Sequence, residues 1–372
     1  MSSDSEVDEQ EVNLSNPDVV TKHKAAAEIC NKAVAAVIED CKDGAKIVDL
    51  CVKGDAIVTE QMSKIFKGKD IEKGLAFPCC VSVNNAVCHC CPLEGDASLK
   101  TGDSVKIDLG CHLDGFIAVQ AATVVIQDDF ATPITGQTAD VMEAARTAFQ
   151  ASLRLIRPGK SISDVADVLE KIADAYGVKL VEGVMTHQLK KFVIDGNKCV
   201  LNKPTTDNRV EDDDFEANEV YAIDIVMTSG EGKTRQLDEK ETTVYKRALD
   251  MEYNLKMKAS RHVFSEVNKK YPTMPFTTRY LSDPRQTRLG LVECLNHGLL
   301  HPYPVLYERS EALVAQVKGT VLLMPNGSDV ITEAPQQPVK SEKVLEDEEV
   351  KALLQQPIKK AKKKKAKKKP AE

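Results

Sequence analysis

The sequence predicts an α+β or mixed α/β fold, and three observations lead to this class. Segments with helical hydrophobic spacing and segments with strand-like alternation occur in blocks along the chain. The Asp114-Gly115 pair between two β-rich runs is a strong hairpin signal, so these neighbouring strands should be antiparallel. The 372 residues, 42% of them hydrophobic, suffice for a large core. Either two domains or one domain of about 300 residues with tails satisfies this length.

The first half begins with an acidic segment followed by two helices. Residues 1 to about 17 lack apolar periodicity and are predicted to be disordered. Apolar residues recur at helical spacing from Val20 to about Cys41, and a second helical pattern runs from about Ile47 to Phe66. The spacing then becomes that of strands, in VSVNNAVCH at 81–89 and VKIDLGCHLDGFIAVQAATVVI at 105–126.

The second half again places helices before strands. Helical patterns cover 138–156 and 163–176, where Ser161 and Asp164 can form a capping box and Gly177 would end the second helix. Strand patterns begin near Val181 and include EVYAIDIVM at 219–227 and VAQVKGTVLLM at 314–324. These boundaries place one folded domain at residues 18–335.

A basic island interrupts this half at about residues 246–310. It holds eleven Lys and Arg against six Asp and Glu, with aromatic residues interleaved. Two helices are predicted within it, at about 255–267 and 286–299.

After Pro335 the composition becomes low-complexity, and we assign residues 336–372 to a tail ending in a lysine block. Residues 341–356 fit one short amphipathic helix. Its VKALL sequence at 350–354 approaches an LxxLL docking motif, but Val350 replaces the first leucine, and packing on the chain's own domain is an equal alternative.

Charge and cysteine content limit the class of protein. The formal net charge of −7 combines an acidic N-terminus with nine lysines among residues 359–369. The sequence shows no leader pattern and no apolar run of membrane length, so we expect a soluble intracellular protein without membrane insertion. The eleven cysteines should be reduced and unpaired. Those from Cys79 to Cys91, with His89, have zinc-ligand chemistry, but no second C-x-x-C pair lies at zinc-ribbon spacing.

Several segments in the right order resemble type II methionine aminopeptidases. They are NNAVCH at 84–89, VKIDLGCHLDGFIA at 105–118, His187, VYAIDIVMTSGEGK at 220–233, LHPYPVL at 300–306 and AQVKGTVLL at 315–323. The resemblance spans about residues 20–330. It implies the pita-bread fold, two pseudo-symmetric halves with curved antiparallel sheets, and makes the basic island the helical insertion of the type II branch. The HQLKKFVIDG stretch and the lysine-rich end are similar to the proliferation-associated, receptor-binding branch of that family.

Aminopeptidases of this fold hold two divalent ions with two aspartates, one histidine and two glutamates. By position, Asp108 matches the first aspartate and His187 the histidine. Val119 stands at the second aspartate, Asp224 at the first glutamate and Lys318 at the second. His89 matches a histidine that contacts substrate, although a structural hydrogen bond is its alternative role.

Lys318 is the most damaging of these replacements. An ammonium at a ligand position would repel a dication by roughly 8 kcal/mol at 4 Å and an effective dielectric near 20. We expect it to take the place of the metals and to pair with Asp108 or Asp224. The resemblance therefore implies a pseudoenzyme with no catalytic residue, no metal and no cofactor.

The basic segments indicate nucleic acid as a partner. A lysine block with a basic, aromatic-bearing insertion favours an RNA contact made through shape and phosphates. The candidate RNA-binding residues are Lys256, Lys258, Arg261, Lys269, Lys270, Lys359, Lys360, Lys362, Lys363, Lys364, Lys365, Lys367, Lys368 and Lys369.

We therefore expect a protein that binds rRNA, structured mRNA or ribosomes in the cytoplasm and the nucleus, including the nucleolus, and regulates growth, ribosome biogenesis and translation. Receptor cytoplasmic tails and transcription regulators are further expected partners. An active aminopeptidase with substitute ligands and a purely protein-binding adaptor are the alternatives.

Overall fold

The computed structural model describes residues 12–68, 70–205, 210 and 212–359. The first half contains two helices that cover one face of a set of antiparallel strands. Asn16 caps the first helix by accepting a hydrogen bond from the N–H of Asp18, and Pro17 occupies its first turn, where no N–H is needed. The elements are α1 (Pro17–Asp40), α2 (Ile47–Lys64), β1 (Lys73–Val83), β2 (Ala86–Cys88), β3 (Ser104–Leu113) and β4 (Phe116–Val125).

The second half repeats this order of elements. Its helices α3 and α4 contribute to a core that is separate from that of the first half. The elements up to the insertion are α3 (Gly136–Leu155), α4 (Asp164–Ala175), β5 (Lys179–Leu180), β6 (Met185–Leu189), β7 (Cys199–Leu201) and β8 (Val220–Thr228).

The predicted basic island forms a small unit with its own apolar core. Short 3₁₀ turns at Glu239–Glu241 and Thr278–Tyr280 accompany β9 (Val244–Arg247), α5 (Lys258–Lys270), β10 (Phe276–Thr277), α6 (Pro284–Asn296), β11 (Leu300–Tyr303) and β12 (Leu306–Tyr307). The chain then returns to the main body through β13 (Val314–Met324), β14 (Gly327–Val330) and α7 (Glu348–Gln355).

One nine-stranded sheet joins the two halves, with main strand order β1-β3-β4-β13-β8-β6-β7. Its pairings are antiparallel, and Asp114 and Gly115 form the predicted hairpin turn between β3 and β4, both with positive φ. The α+β class is therefore confirmed. No helix in the described part of the chain is long and apolar enough to cross a membrane.

Threonine side chains connect the two halves where β4 meets β13. The Thr320 hydroxyl accepts from the N–H of Val119 at 2.8 Å and donates to its carbonyl at 2.9 Å. Thr123 makes the equivalent pair of bonds to Gln316 from the other strand, at 2.7 and 2.9 Å. Two hydroxyls thus replace backbone-to-backbone bonds at the seam, and each satisfies buried groups that would otherwise lack a partner.

Two local expectations differ from the structure, and for the 350–354 motif the structure agrees with one of the two alternatives, packing on the chain's own domain. Ser161 does not form the predicted capping box, because its hydroxyl donates to Asp212 and no side chain caps α4. The packed chain extends beyond the predicted domain at both ends: Leu14 is buried in the first core, and residues of 339–358 pack on the second. The 350–354 motif lies in α7, where Val350 is 1% exposed and Leu353 and Leu354 face the same core.

Candidate functional site

One cavity of about 200 Å³ lies over the middle of the central sheet. Strands β3, β4, β8 and β13 supply its floor. Asp224 of β8 and Lys318 of β13 are direct cross-strand partners, Lys318 is opposite Ala121 of β4, and Ala121 is opposite Asp108 of β3. The cavity is lined by all six positions singled out by the resemblance, namely Asp108, Val119, His187, Asp224, Lys318 and His89.

Lys318 lies between the two carboxylates at the centre of the cavity. Its Nζ is 2.5 Å from Oδ2 of Asp108 and 3.0 Å from Oδ2 of Asp224. The three side chains are only 11, 5 and 12% exposed, so little water screens these contacts. Burial opposes the charged form, but the two carboxylates outweigh it and hold the pKa of Lys318 above its usual range. The ammonium is therefore retained.

Burial disfavours the charged form of both histidines of the cavity. Burial, together with the nearby Lys318 ammonium, lowers the pKa of His89 to about 4, and its Nδ1 lies 3.1 Å from the carbonyl oxygen of Pro304. Burial also lowers the pKa of His187, which lies near Asp195. Nδ1 of His187 is buried without a hydrogen-bond partner among the described residues.

Sequence reasoning missed two polar residues of the cavity, Gln316 and Asp195. Gln316 donates its amide to Oδ1 of Asp224 at 2.9 Å. It lies two residues before Lys318 on the same strand, so strand alternation alone could have placed it on the same face. Asp195 pairs with Lys246 at 2.6 Å and accepts from the Tyr303 hydroxyl at 2.6 Å. It lies in the loop after β6, where no periodic pattern indicated it.

The residues present do not fit a pair of divalent ions. The position between Asp108 and Asp224 is taken by the Lys318 ammonium, and Val119 adds no donor atom. Within the described ranges, no group of three or more His, Cys, Asp or Glu side chains has the geometry of a metal site. This includes the cysteines from Cys79 to Cys91, which stand as free thiols.

The candidate RNA-binding residues divide into three sets: exposed residues without an ion-pair partner among the described residues, residues already bonded within the protein, and residues outside the described ranges. Lys256, Lys258 and Lys269 are exposed and have no ion-pair partner in the described part of the chain. Arg261 instead donates to the carbonyls of Leu255 and Lys256, and Lys270 pairs with Glu266. Lys359 pairs with Asp329 at 2.6 Å. The remaining lysines, Lys360, Lys362, Lys363, Lys364, Lys365, Lys367, Lys368 and Lys369, lie outside the described residues.

Comparisons with known proteins agree with this architecture. The model of metallopeptidase family M24 matches residues 21–245. ErbB-3 binding protein 1 of Solanum tuberosum is 55% identical over 99% of this chain and 95% of its own length. Curved DNA-binding protein of Schizosaccharomyces pombe is 43% identical over 96% and 95%. A methionine aminopeptidase of Thermococcus kodakarensis is more distant, at 28% identity over 82% and 97%.

A solved structure of a thermophilic Arx1 has the same fold. It superposes with a TM-score of 0.87 at 31% identity and covers 93% of this chain and all of its own. The pita-bread fold implied by the sequence is therefore confirmed. This chain belongs to metallopeptidase family M24 and, within it, to the group of ErbB-3 binding protein 1 and its relatives.

Proposed function

We propose that this protein is a non-catalytic member of its family that binds RNA and ribosomes and regulates growth, ribosome biogenesis and translation. One observation carries the non-catalytic part: the Lys318 ammonium occupies the position between Asp108 and Asp224 where the family's metal ions would lie. A peptidase of this fold needs those ions to activate water. The same side chains instead form a closed ion-pair network.

Elemental analysis and a peptidase assay test this part directly. The purified protein should carry no stoichiometric cobalt, manganese, zinc or iron, and should release no methionine from a peptide such as Met-Ala-Ser. A type II methionine aminopeptidase serves as the active control under the same conditions. About two ions per chain, with methionine release that EDTA abolishes, would instead establish an enzyme with substitute ligands.

The nucleic-acid part rests on the charge of the insertion and the tail. Lys258 and Lys269 lie on α5 with exposed side chains that no carboxylate of the described residues neutralises. Such lysines are free to contact phosphates, whereas Arg261 and Lys270 are engaged within the insertion. A relative at 43% identity is named for binding curved DNA, which supports a polyanion as the ligand. The lysine block also supports a location in the nucleus and nucleolus as well as the cytoplasm.

Binding to ribosomes and to a structured RNA should be measured across a series of salt concentrations. Each phosphate contact contributes about −0.7 to −0.9 to the slope of log affinity against log salt. Removing residues 360–372 should flatten this slope, and Lys258→Glu with Lys269→Glu should lower the affinity that remains. Lys42→Glu with Lys100→Glu is the matched control, because both residues are exposed on the first half and the charge change is equal. Equal affinities for the two double variants would show that the insertion is only a solvated face.

A second function, binding of a peptide N-terminus in the cavity, is favoured by a separate observation. Three residues that line the cavity each have a buried polar atom without a hydrogen-bond partner among the described residues. These atoms are Oδ1 of Asp108, Oε1 of Gln316 and Nδ1 of His187. Asp108, Asp224 and Lys318 leave one net negative charge there. An α-ammonium would supply donors and a positive charge. Calorimetry with peptides carrying a free or an acetylated N-terminus distinguishes this function, since only the free form should bind.

A further inference from the structure

Helix α6 of the insertion carries apolar side chains on two opposite faces. Its inner face contributes Cys294 and the partly buried Leu291 and Leu295 to the insertion core. On its outer face, Leu289 and Val292 are 52 and 57% exposed. A helix that packs only against its own domain is expected to have a polar outer face. The outer face of α6 therefore has no explanation in the fold itself.

A neighbouring segment, residues 249–257, also exposes apolar side chains. Residues 253–257 run alongside the C-terminal part of α6 in the opposite direction: Tyr253 stacks on His297, just after the helix, with ring centroids 3.5 Å apart. Further along, the Glu293 carboxylate accepts from the N–H groups of Lys256 and Met257. Among the described residues, fourteen large apolar side chains are exposed. Five of them lie on α6 and residues 249–257, which are a small part of the chain: Leu249, Met251, Met257, Leu289 and Val292.

The spacing and charge of the outer face indicate what it can bind. The outer face contains one row of residues at intervals of four, three and four: Arg285, Leu289, Val292 and Asn296. This is the spacing of residues that face a partner helix in a coiled coil. Arg288 lies beside this row of residues. Neither arginine has an ion-pair partner in the described ranges, and the one acidic residue in the middle of the helix, Glu293, is buried and committed to backbone N–H groups.

We propose that the outer face of α6 docks an amphipathic helix of another protein, one with apolar residues on its inner stripe and carboxylates along its edges. The apolar centre and the two unpaired arginines complement such a helix. A second copy of this chain would bring the same two arginines, while the carboxylate of its Glu293 is already bonded to backbone N–H groups, so it would not supply complementary charge. Single-stranded RNA would be expected to use aromatic platforms, and Leu289 and Val292 provide none. This inference does not depend on the nucleic-acid-binding function, which uses α5 and the tail.

Site-specific photo-crosslinking in cell extract tests the proposal. The full-length protein carries p-benzoylphenylalanine at position 292, and the same group at Val344, which is 69% exposed on the main body, is the control. The crosslinked peptide is mapped by mass spectrometry before and after nuclease treatment. We expect a nuclease-resistant product on a helical segment with Leu, Ile or Val at heptad spacing and Asp or Glu beside it. Its yield should fall at least about tenfold with Arg288→Glu and remain unchanged with Lys269→Glu.

Each other result overturns the proposal. A product that contains RNA, or one that nuclease removes, assigns the face to nucleic acid. A crosslink to a second copy assigns it to self-association. No product above the Val344 control shows that the face is not a docking site. A protein product that is basic, or insensitive to Arg288→Glu, removes the charge complementarity on which the partner class rests.

Discussion

Lys318→Met should be among the most destabilising conservative substitutions in this protein. The methionine keeps most of the side-chain volume but removes the one cation of the described residues that contacts Asp108 and Asp224 in the cavity. Two carboxylates then remain in a buried site with no positive charge between them. Because burial makes such charges costly unless they are paired, the loss is electrostatic rather than a packing defect.

The geometry sets the size of the expected effect. Contacts of 2.5 and 3.0 Å between side chains that are 5 to 12% exposed place this network in the buried class. Removing one partner of a buried ion pair costs about 3–5 kcal/mol, since the remaining charge is left uncompensated. That is a large fraction of the roughly 5–15 kcal/mol by which domains are stable, so the variant should be folded but marginal.

Urea unfolding at pH 7 measures this loss as a shift of the transition midpoint. Lys351→Met is the matched control, because Lys351 and its partner Glu348 are 39 and 86% exposed and such a pair contributes less than about 1 kcal/mol. The difference between the variants should shrink at acidic pH, where protonation of a carboxylate relieves the repulsion. If Lys318→Met costs no more than Lys351→Met, the lysine does not replace the missing metal charge and our account of the cavity is wrong.

Three further predictions concern metal binding, acid stability and the seam between the halves. The triple variant Val119→Asp, Asp224→Glu, Lys318→Glu should restore manganese binding in calorimetric titration. Val119→Asp alone should not bind manganese, because the Lys318 ammonium remains. A folded triple variant without binding would refute the assignment of these positions to the family's metal ligands. Burial lowers the pKa of His23 to about 4, below its value near 6.5 in the unfolded chain. The neutral His23 therefore contributes fully to the free energy of unfolding above pH 6.5, and this contribution is lost as the pH falls towards 4. His23→Phe should therefore lose about 3 kcal/mol less than the wild type over this range in thermal or urea unfolding. Thr320→Val should lower the free energy of unfolding by about 2–3 kcal/mol in urea, because it leaves the buried N–H and carbonyl of Val119 unpaired. A loss below about 1 kcal/mol would show that water replaces the hydroxyl.

The sequence predicted those parts of the fold that rest on local patterns. The helices α1, α2, α3 and α4 lie within a few residues of their predicted ranges, because apolar spacing and terminal residues such as Gly177 determine them. The hairpin at Asp114 was predictable for the same reason. Asp224 and Lys318 were assigned to one site through resemblance alone, since no local rule brings together residues that lie almost a hundred positions apart.

Other features depend on contacts that no local pattern encodes. The hydroxyl bonds of Thr123 and Thr320 arise only where β4 and β13 meet, so their sequence neighbours give no signal. The segment after Pro335 reads as low-complexity because its few apolar residues are widely spaced. Val350 and Leu345 are nevertheless buried, since each fills a position over a core that the rest of the chain has already built.

The charge balance of the cavity connects its present chemistry to that of its family. The resemblance implies four carboxylates around two dications, and removing the ions alone would leave four negative charges in a buried site. This chain has two carboxylates and one ammonium there, so the excess is a single negative charge. The excess coincides with an oxygen of Asp108 that has no hydrogen-bond partner among the residues the structure describes. The replacements at positions 119 and 318 therefore remove most of the need for metal ions, and what remains is a site that one ammonium group could complete. If the proposals for this cavity hold, peptide binding and the absence of catalysis would both follow from the same substitutions.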